Sequence, residues 1–75
     1  MAEDTGGSVV LDQRPTTRFS ANGRFEEVYE ITFKTPSNVI SHVYVPRAAF
    51  NARVVADAVR EETRHIEEVH QLGKQ

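Results

Sequence analysis

The sequence predicts an α+β fold in which an antiparallel β-hairpin is followed by one long C-terminal α-helix. Residues 29–34 alternate large apolar with polar side chains, residues 39–45 are rich in β-branched and aromatic types, and residues 52–72 contain neither glycine nor proline. A period of two is typical of a strand with one buried face, and a long run without helix-breaking residues is typical of a helix. We therefore divide the chain into an extended N-terminal arm, residues 1–24, and a hairpin-helix domain, residues 25–75.

The turn of the hairpin is predicted from residues 35–38, Thr-Pro-Ser-Asn. Pro36 suits the first central position of a type I turn, and Asn38 tolerates the left-handed conformation that closes a three-residue loop. This turn collects the large apolar side chains on one face of the hairpin. The register that follows from it pairs Thr35 with Val39, Phe33 with Ser41, Ile31 with Val43 and Tyr29 with Val45.

The predicted helix has recognisable signals at both ends. Asn51 is a candidate N-cap, and Gly73 is a natural C-terminal stop. A helix of about twenty residues is about 30 Å long, whereas a seven-residue strand spans roughly 23 Å. We therefore expect the last turns of the helix, with their apolar side chains, to extend past the sheet.

The N-terminal arm is predicted from composition, because residues 1–24 are rich in turn-forming Gly, Ser and Thr. The arm contains one apolar cluster, Val9-Val10-Leu11. An extended apolar arm of this kind is suited to adding a strand to the sheet edge of a neighbouring molecule.

A third strand over residues 16–21 is the alternative to a free arm. Asn22-Gly23 is a strong signal for a two-residue hairpin turn. That turn would place Phe19 opposite Glu26, on the face away from Tyr29. The sequence leaves both alternatives open, a two-stranded hairpin or a three-stranded meander.

Composition narrows the class of function. The 75 residues include no cysteine and carry a net charge of -2, which excludes disulfides and opposes a protein that acts by neutralising phosphates. No apolar run is long enough to span a membrane. His65 and His70 are five residues apart, unlike the four-residue spacing of zinc-binding pairs on a helix. We expect no enzyme, no metal site and no cofactor.

The predicted core is small for a chain that lacks disulfides and metal. A two-stranded hairpin would also leave Val28, Ile40 and Tyr44 exposed on its second face. We therefore expect the protein to complete its core on other chains, as a homo-oligomer or in a larger assembly. The residues expected to bind a partner lie in the arm, on the open face of the hairpin and at the helix end: Val9, Val10, Leu11, Phe19, Ile40, Tyr44, Ile66, Val69 and Leu72.

Three blocks of the sequence resemble a known class of protein. Tyr-Glu-Ile-Thr-Phe-Lys-Thr-Pro-Ser-Asn-Val at 29–39, Val-Tyr-Val-Pro at 43–46 and Ile-Glu-Glu-Val-His-Gln-Leu at 66–72 resemble small virion proteins of tailed phages that infect actinobacteria. The resemblance implies a minor capsid or decoration protein, made in the host cytoplasm and located in the virion. The implied partners are the major capsid protein or other virion subunits, bound in repeated copies. The resemblance carries over no functional residue, and residues 1–24 lie outside it.

A second hypothesis is a small oligomeric regulatory module that binds nucleic acid or a protein. Its support is the set Arg14, Arg18 and Arg24, with Phe19 directly after Arg18 and Phe25 directly after Arg24. Basic and aromatic side chains together form surfaces for single-stranded nucleic acid. The acidic total charge opposes this hypothesis.

Overall fold

The computed structural model describes residues 4–72, which form a three-stranded antiparallel sheet with one helix on one of its faces. The strand order is β1-β2-β3, so that β2 lies in the centre. The predicted α+β fold is confirmed, and of the two alternatives the three-stranded meander is the one that forms. The elements are β1 (Val9–Phe19), β2 (Phe25–Lys34), β3 (Ile40–Pro46), a 3-10 turn (Arg47–Ala49) and α1 (Ala52–Leu72).

The hairpin of β2 and β3 has the register that its turn predicts. The Thr35 amide donates to the Val39 carbonyl at 2.8 Å, and Asn38 has the left-handed φ of 67° that a three-residue loop requires. The strand pairs Phe33–Ser41, Ile31–Val43 and Tyr29–Val45 are all confirmed. Turn chemistry and apolar alternation therefore specify the same pairing.

The structure corrects the predicted boundary at residue 24, because β1 lies inside the segment that was assigned to an arm. β1 pairs with β2 from Val9 to Phe19, with one bulge between Val10 and Asp12. Pairing there satisfies the backbone groups along an edge of β2 that a two-stranded hairpin would leave open.

The turn between β1 and β2 differs from the predicted two-residue turn. The Ser20 amide donates to the Arg24 carbonyl at 2.7 Å, and Gly23 has φ of 83°, so the loop has three residues and ends on a glycine in the left-handed region. The additional loop residue shifts the register by one position. Phe19 therefore pairs with Phe25, and the predicted pairing of Phe19 with Glu26 is wrong.

The residues before β1 are attached to the helix. The hydroxyl oxygens of Ser8 and Thr63 are 2.6 Å apart in a buried hydrogen bond. The Thr5 hydroxyl donates to the Ser8 carbonyl, also at 2.6 Å. Residues 4–8 are thus held against α1, whereas residues 1–3 of the predicted arm lie outside the described residues.

The core lies between the sheet and α1. Its buried side chains come from β2, β3 and α1. At the margin of this core, Tyr29 stacks on Phe50 with ring centroids 4.0 Å apart. The Asn51 side chain accepts a hydrogen bond from the Val54 amide at 2.9 Å, which is the predicted N-cap. The buried core cluster consists of Ile31, Phe33, Val45, Val55 and Val59.

Candidate protein-binding surfaces

Large apolar side chains remain exposed at several places on the described residues. Most of them belong to the set that the sequence predicts to bind a partner. The exposed large apolar residues are Val9, Leu11, Phe19, Phe25, Ile40, Tyr44, Val69 and Leu72.

The tip surface is the pair Phe19 and Phe25 at the end of the β1-β2 hairpin. The two rings meet edge to face with centroids 5.2 Å apart, and the side chains are 66% and 75% exposed. Strand alternation from Tyr29 places them on the helix-bearing face, beyond the point where Phe50 covers the sheet. Sequence reasoning named Phe19 as a partner-binding residue but named Phe25 only in the nucleic-acid hypothesis, although a three-residue loop around Asn22-Gly23 would have paired them.

The opposite end of the sheet also exposes apolar side chains. Val9 and Ile40 both pair with Lys34, one from each side, so these three residues form a row across the open face, which is the face without the helix. We call Val9 and Ile40, with Val69 and Leu72 of the last helical turns, the turn-end surface. Val69 and Leu72 are 55% and 70% exposed.

Two residues of the predicted set help to build the chain's own core. Val10 and Ile66 are half-buried and pack against the core cluster. Each also lines an open groove beside α1. The first groove, about 360 Å³, lies on the β1 side and is lined by Thr5, Val10, Gln13, Phe50, Ala52, Val55 and Ala56. The second, about 380 Å³, lies on the β3 side and is lined by Val39, His65, Ile66, Val69 and His70.

Tyr44 belongs to a polar cluster on the open face. Its hydroxyl donates to the Glu30 carboxylate at 3.1 Å, and the Arg18 guanidinium lies 4.1 Å from the centre of its ring. The hydrogen bond to Glu30 raises the pKa of Tyr44 above its ordinary value. Arg18 and Tyr44 are on the two outer strands, with Val28 between them on β2. The expectation that Val28 is exposed is wrong, since it is buried.

The β2-β3 turn is fastened to the helix by Glu67. Its carboxylate accepts hydrogen bonds from the Ser37 hydroxyl at 2.8 Å and from the Ser37 amide at 3.2 Å. The hydroxyl bond is the largest cause that lowers the pKa of Glu67 below its ordinary value. The contact positions Val39 and the helix end on either side of the second groove.

The lowered pKa predicts that Glu67 stabilises the fold in its ionised form. Because the native state then binds fewer protons than the unfolded state, this contribution is complete above the ordinary pKa of 4.5 and is lost as the pH falls through the lowered value. We expect the urea midpoint of unfolding to fall less steeply for Glu67→Gln than for wild type as the pH is lowered. Glu68→Gln, one residue further along the same helix, serves as the control and should retain the slope; equal slopes for wild type and Glu67→Gln would contradict the prediction.

Within residues 4–72, no group of three or more His, Asp or Glu side chains is close enough to hold a metal ion. Every buried side-chain nitrogen or oxygen in this part of the chain has a hydrogen-bond partner. No helix among residues 4–72 is both long and apolar enough to cross a membrane. Both grooves present mainly apolar walls.

Comparison of the chain with protein-family models, with curated proteins and with solved structures finds no match.

Proposed function

We propose that this protein is a non-enzymatic structural subunit that bridges neighbouring molecules in an assembly, and that the assembly is a phage virion. The observation that carries the proposal is the presence of apolar surfaces at both ends of one small body. The tip surface and the turn-end surface lie at opposite ends of β2, whose first and last residues, Phe25 and Lys34, are about 30 Å apart along a strand. A molecule that measures 41 × 32 × 16 Å and exposes apolar side chains at both ends is suited to bridging two neighbouring molecules.

The proposed mechanism depends on each molecule making two weak contacts at the same time. Each exposed surface consists of only a few large side chains, so a single contact is weak. When one molecule contacts two subunits at once, the second contact is intramolecular and benefits from a raised effective concentration. A minor capsid or decoration protein, which is what the resemblance of residues 29–72 implies, stabilises a shell in this way.

The regulatory alternative has less support from the geometry. Arg14 pairs with Asp12 of the same strand, at 2.8 Å between nitrogen and oxygen. Arg18 lies on the ring of Tyr44. Two of the three arginines that favoured nucleic acid therefore already have partners within the chain.

The test is binding to capsid shells that lack this protein, purified from an actinobacterial tailed phage that carries its gene. We expect wild-type protein to bind until a fixed number of sites is filled. Phe25→Ser should weaken binding by about tenfold or more, because burying a phenylalanine side chain is worth about 1.5–3 kcal/mol. Glu26→Ser, the adjacent exposed residue, is the matched control and should bind like wild type.

Two results would contradict the proposal. Failure of the wild-type protein to bind the shells at any concentration would exclude the role of a minor capsid or decoration protein. Equal binding by wild type and Phe25→Ser would show that the tip surface is not the contact. Binding to single-stranded nucleic acid that weakens steeply with salt would support the regulatory module instead.

A further inference from the structure

The two outer edges of the sheet differ in their ability to pair with another strand. On the β1 edge, the bond from the Ser20 amide to the Arg24 carbonyl sets which residues point their backbone groups at β2, and by alternation Pro15 points outward. Proline removes a donor from that edge without loss inside the sheet. The bulge between Val10 and Asp12 disturbs the same edge. Both features are known to discourage edge-to-edge pairing.

The β3 edge has neither feature before its last residue. The bond from the Thr35 amide to the Val39 carbonyl sets the alternation, so Ile40, His42 and Tyr44 direct their backbone N–H and C=O groups away from β2. The pairing of β2 with β3 runs without a register shift. Pro46 only ends the strand. Three consecutive outward positions are therefore ready to bond to another strand.

We infer that the β3 edge is the contact between two copies of this chain, which join as an antiparallel pair into one six-stranded sheet. The register that uses all the outward positions centres on His42, so that His42 faces its counterpart and Ile40 faces Tyr44 of the second copy. This inference is independent of the virion assignment, because it concerns the purified protein alone.

The side chains on this edge suit pairing of the strand with itself. Ile40 is 60% exposed and Tyr44 is 39% exposed, and both lie on the open face. In the inferred register each Ile40 packs on the Tyr44 of the other copy, so the two-fold axis gives two such contacts. Aromatic with β-branched residues is a favourable cross-strand combination.

The helix extends the contact beyond the edge strand. Among the three strands, α1 approaches β3 most closely, and the second groove opens between Val39 and the helix residues Ile66 and Val69. A two-fold axis perpendicular to the sheet leaves both helices on the same face, next to each other. The groove and the β3 edge thus form one continuous surface.

Sedimentation velocity of purified protein tests the inference with a matched pair of variants. Val9 and Ile40 both pair with Lys34 on the open face and are 62% and 60% exposed, but they lie on different edges. We expect the wild type to sediment as a species of twice the 8.5 kDa chain mass. Ile40→Lys should weaken the dimer by about tenfold or more, as a lysine on an edge strand disfavours pairing, while Val9→Lys should leave it unchanged.

A second pair of variants acts on the backbone alone. His42→Pro removes a backbone N–H that points away from β2 on the β3 edge. Thr17→Pro removes a backbone N–H that points away from β2 on the β1 edge. The first should abolish the dimer and the second should not, with circular dichroism confirming that each variant is folded. If His42→Pro does not fold, Ile40→Lys still decides the matter, because its side chain is exposed.

Amide hydrogen exchange distinguishes strand pairing from a contact made only by side chains. We expect the amides of Ile40, His42 and Tyr44 to become protected as protein concentration rises, while those of Gln13 and Thr17 remain unprotected. A wild type that stays monomeric at all concentrations would overturn the inference. Disruption by Val9→Lys but not by Ile40→Lys, or a dimer whose β3 amides exchange as fast as in the monomer, would also overturn it.

Discussion

Phe33→Ala is expected to lower the free energy of unfolding by about 3–5 kcal/mol, a large fraction of the total. Phe33 is 0% exposed and belongs to the buried core cluster, and removing such a ring costs about 3–5 kcal/mol. A chain of this length has a total stability of about 4–11 kcal/mol at roughly 0.05–0.15 kcal/mol per residue. Urea unfolding followed by circular dichroism measures the loss.

Phe25→Ala is the matched control for this experiment. Phe25 is the same residue type on the same strand and the same face, but it is 75% exposed. Its removal should change the free energy of unfolding by no more than about 0.5 kcal/mol, as is usual for surface positions. Equal losses in the two variants would contradict the position of the core.

Thr63→Val is expected to destabilise the protein by about 1–3 kcal/mol. The substitution preserves the shape of the side chain and removes the partner of the Ser8 hydroxyl, which is then buried without a hydrogen bond. It also releases the segment before β1 from the helix. Urea unfolding gives the stability, and proteolysis should cleave near residues 4–8 faster than in the wild type.

The double variant Ser8→Ala/Thr63→Val separates the hydrogen bond from other effects. Replacing both partners with apolar groups removes the unpaired hydroxyl as well as the bond, so most of the lost stability should return. If the effects of Ser8→Ala and Thr63→Val simply add, the 2.6 Å contact between their hydroxyls is not what stabilises this junction.

The hairpin of β2 and β3 was predictable because its signals are local. Pro36 and Asn38 determine the loop, and apolar alternation from Tyr29 to Phe33 determines the face. Both act over a few neighbouring residues and give the same register. The Asn51 cap and the long helix were predictable for the same reason.

The role of β1 was not predictable from local pattern. Its sequence does not alternate apolar with polar side chains, since Asp12 to Arg18 are all polar apart from Pro15. The strand forms because the edge of β2 offers backbone partners. The turn at Asn22-Gly23 fits both a two-residue and a three-residue loop, and the three-residue loop brings Phe19 and Phe25 together.

The predicted partner-binding residues show the same contrast between what the local sequence predicts and what depends on folding. Val9, Ile40 and Leu72 are exposed, as expected from the small core, but apolar character alone did not reveal that Val10 is partly covered. Nor did it reveal that Arg18 reaches across the sheet to Tyr44, or that Val28 is buried. Burial depends on side chains that are distant in sequence.

Short-range chemistry was therefore sufficient for the type and order of the elements after residue 24, because turn preference, alternation and capping involve residues only a few positions apart. The partner of β1, the covered face of the sheet and the positions of the apolar surfaces arose only on folding. Each of these depends on contacts such as Ser8 with Thr63 or Arg18 with Tyr44, in which the two members are far apart along the chain and become neighbours only when the sheet and helix pack.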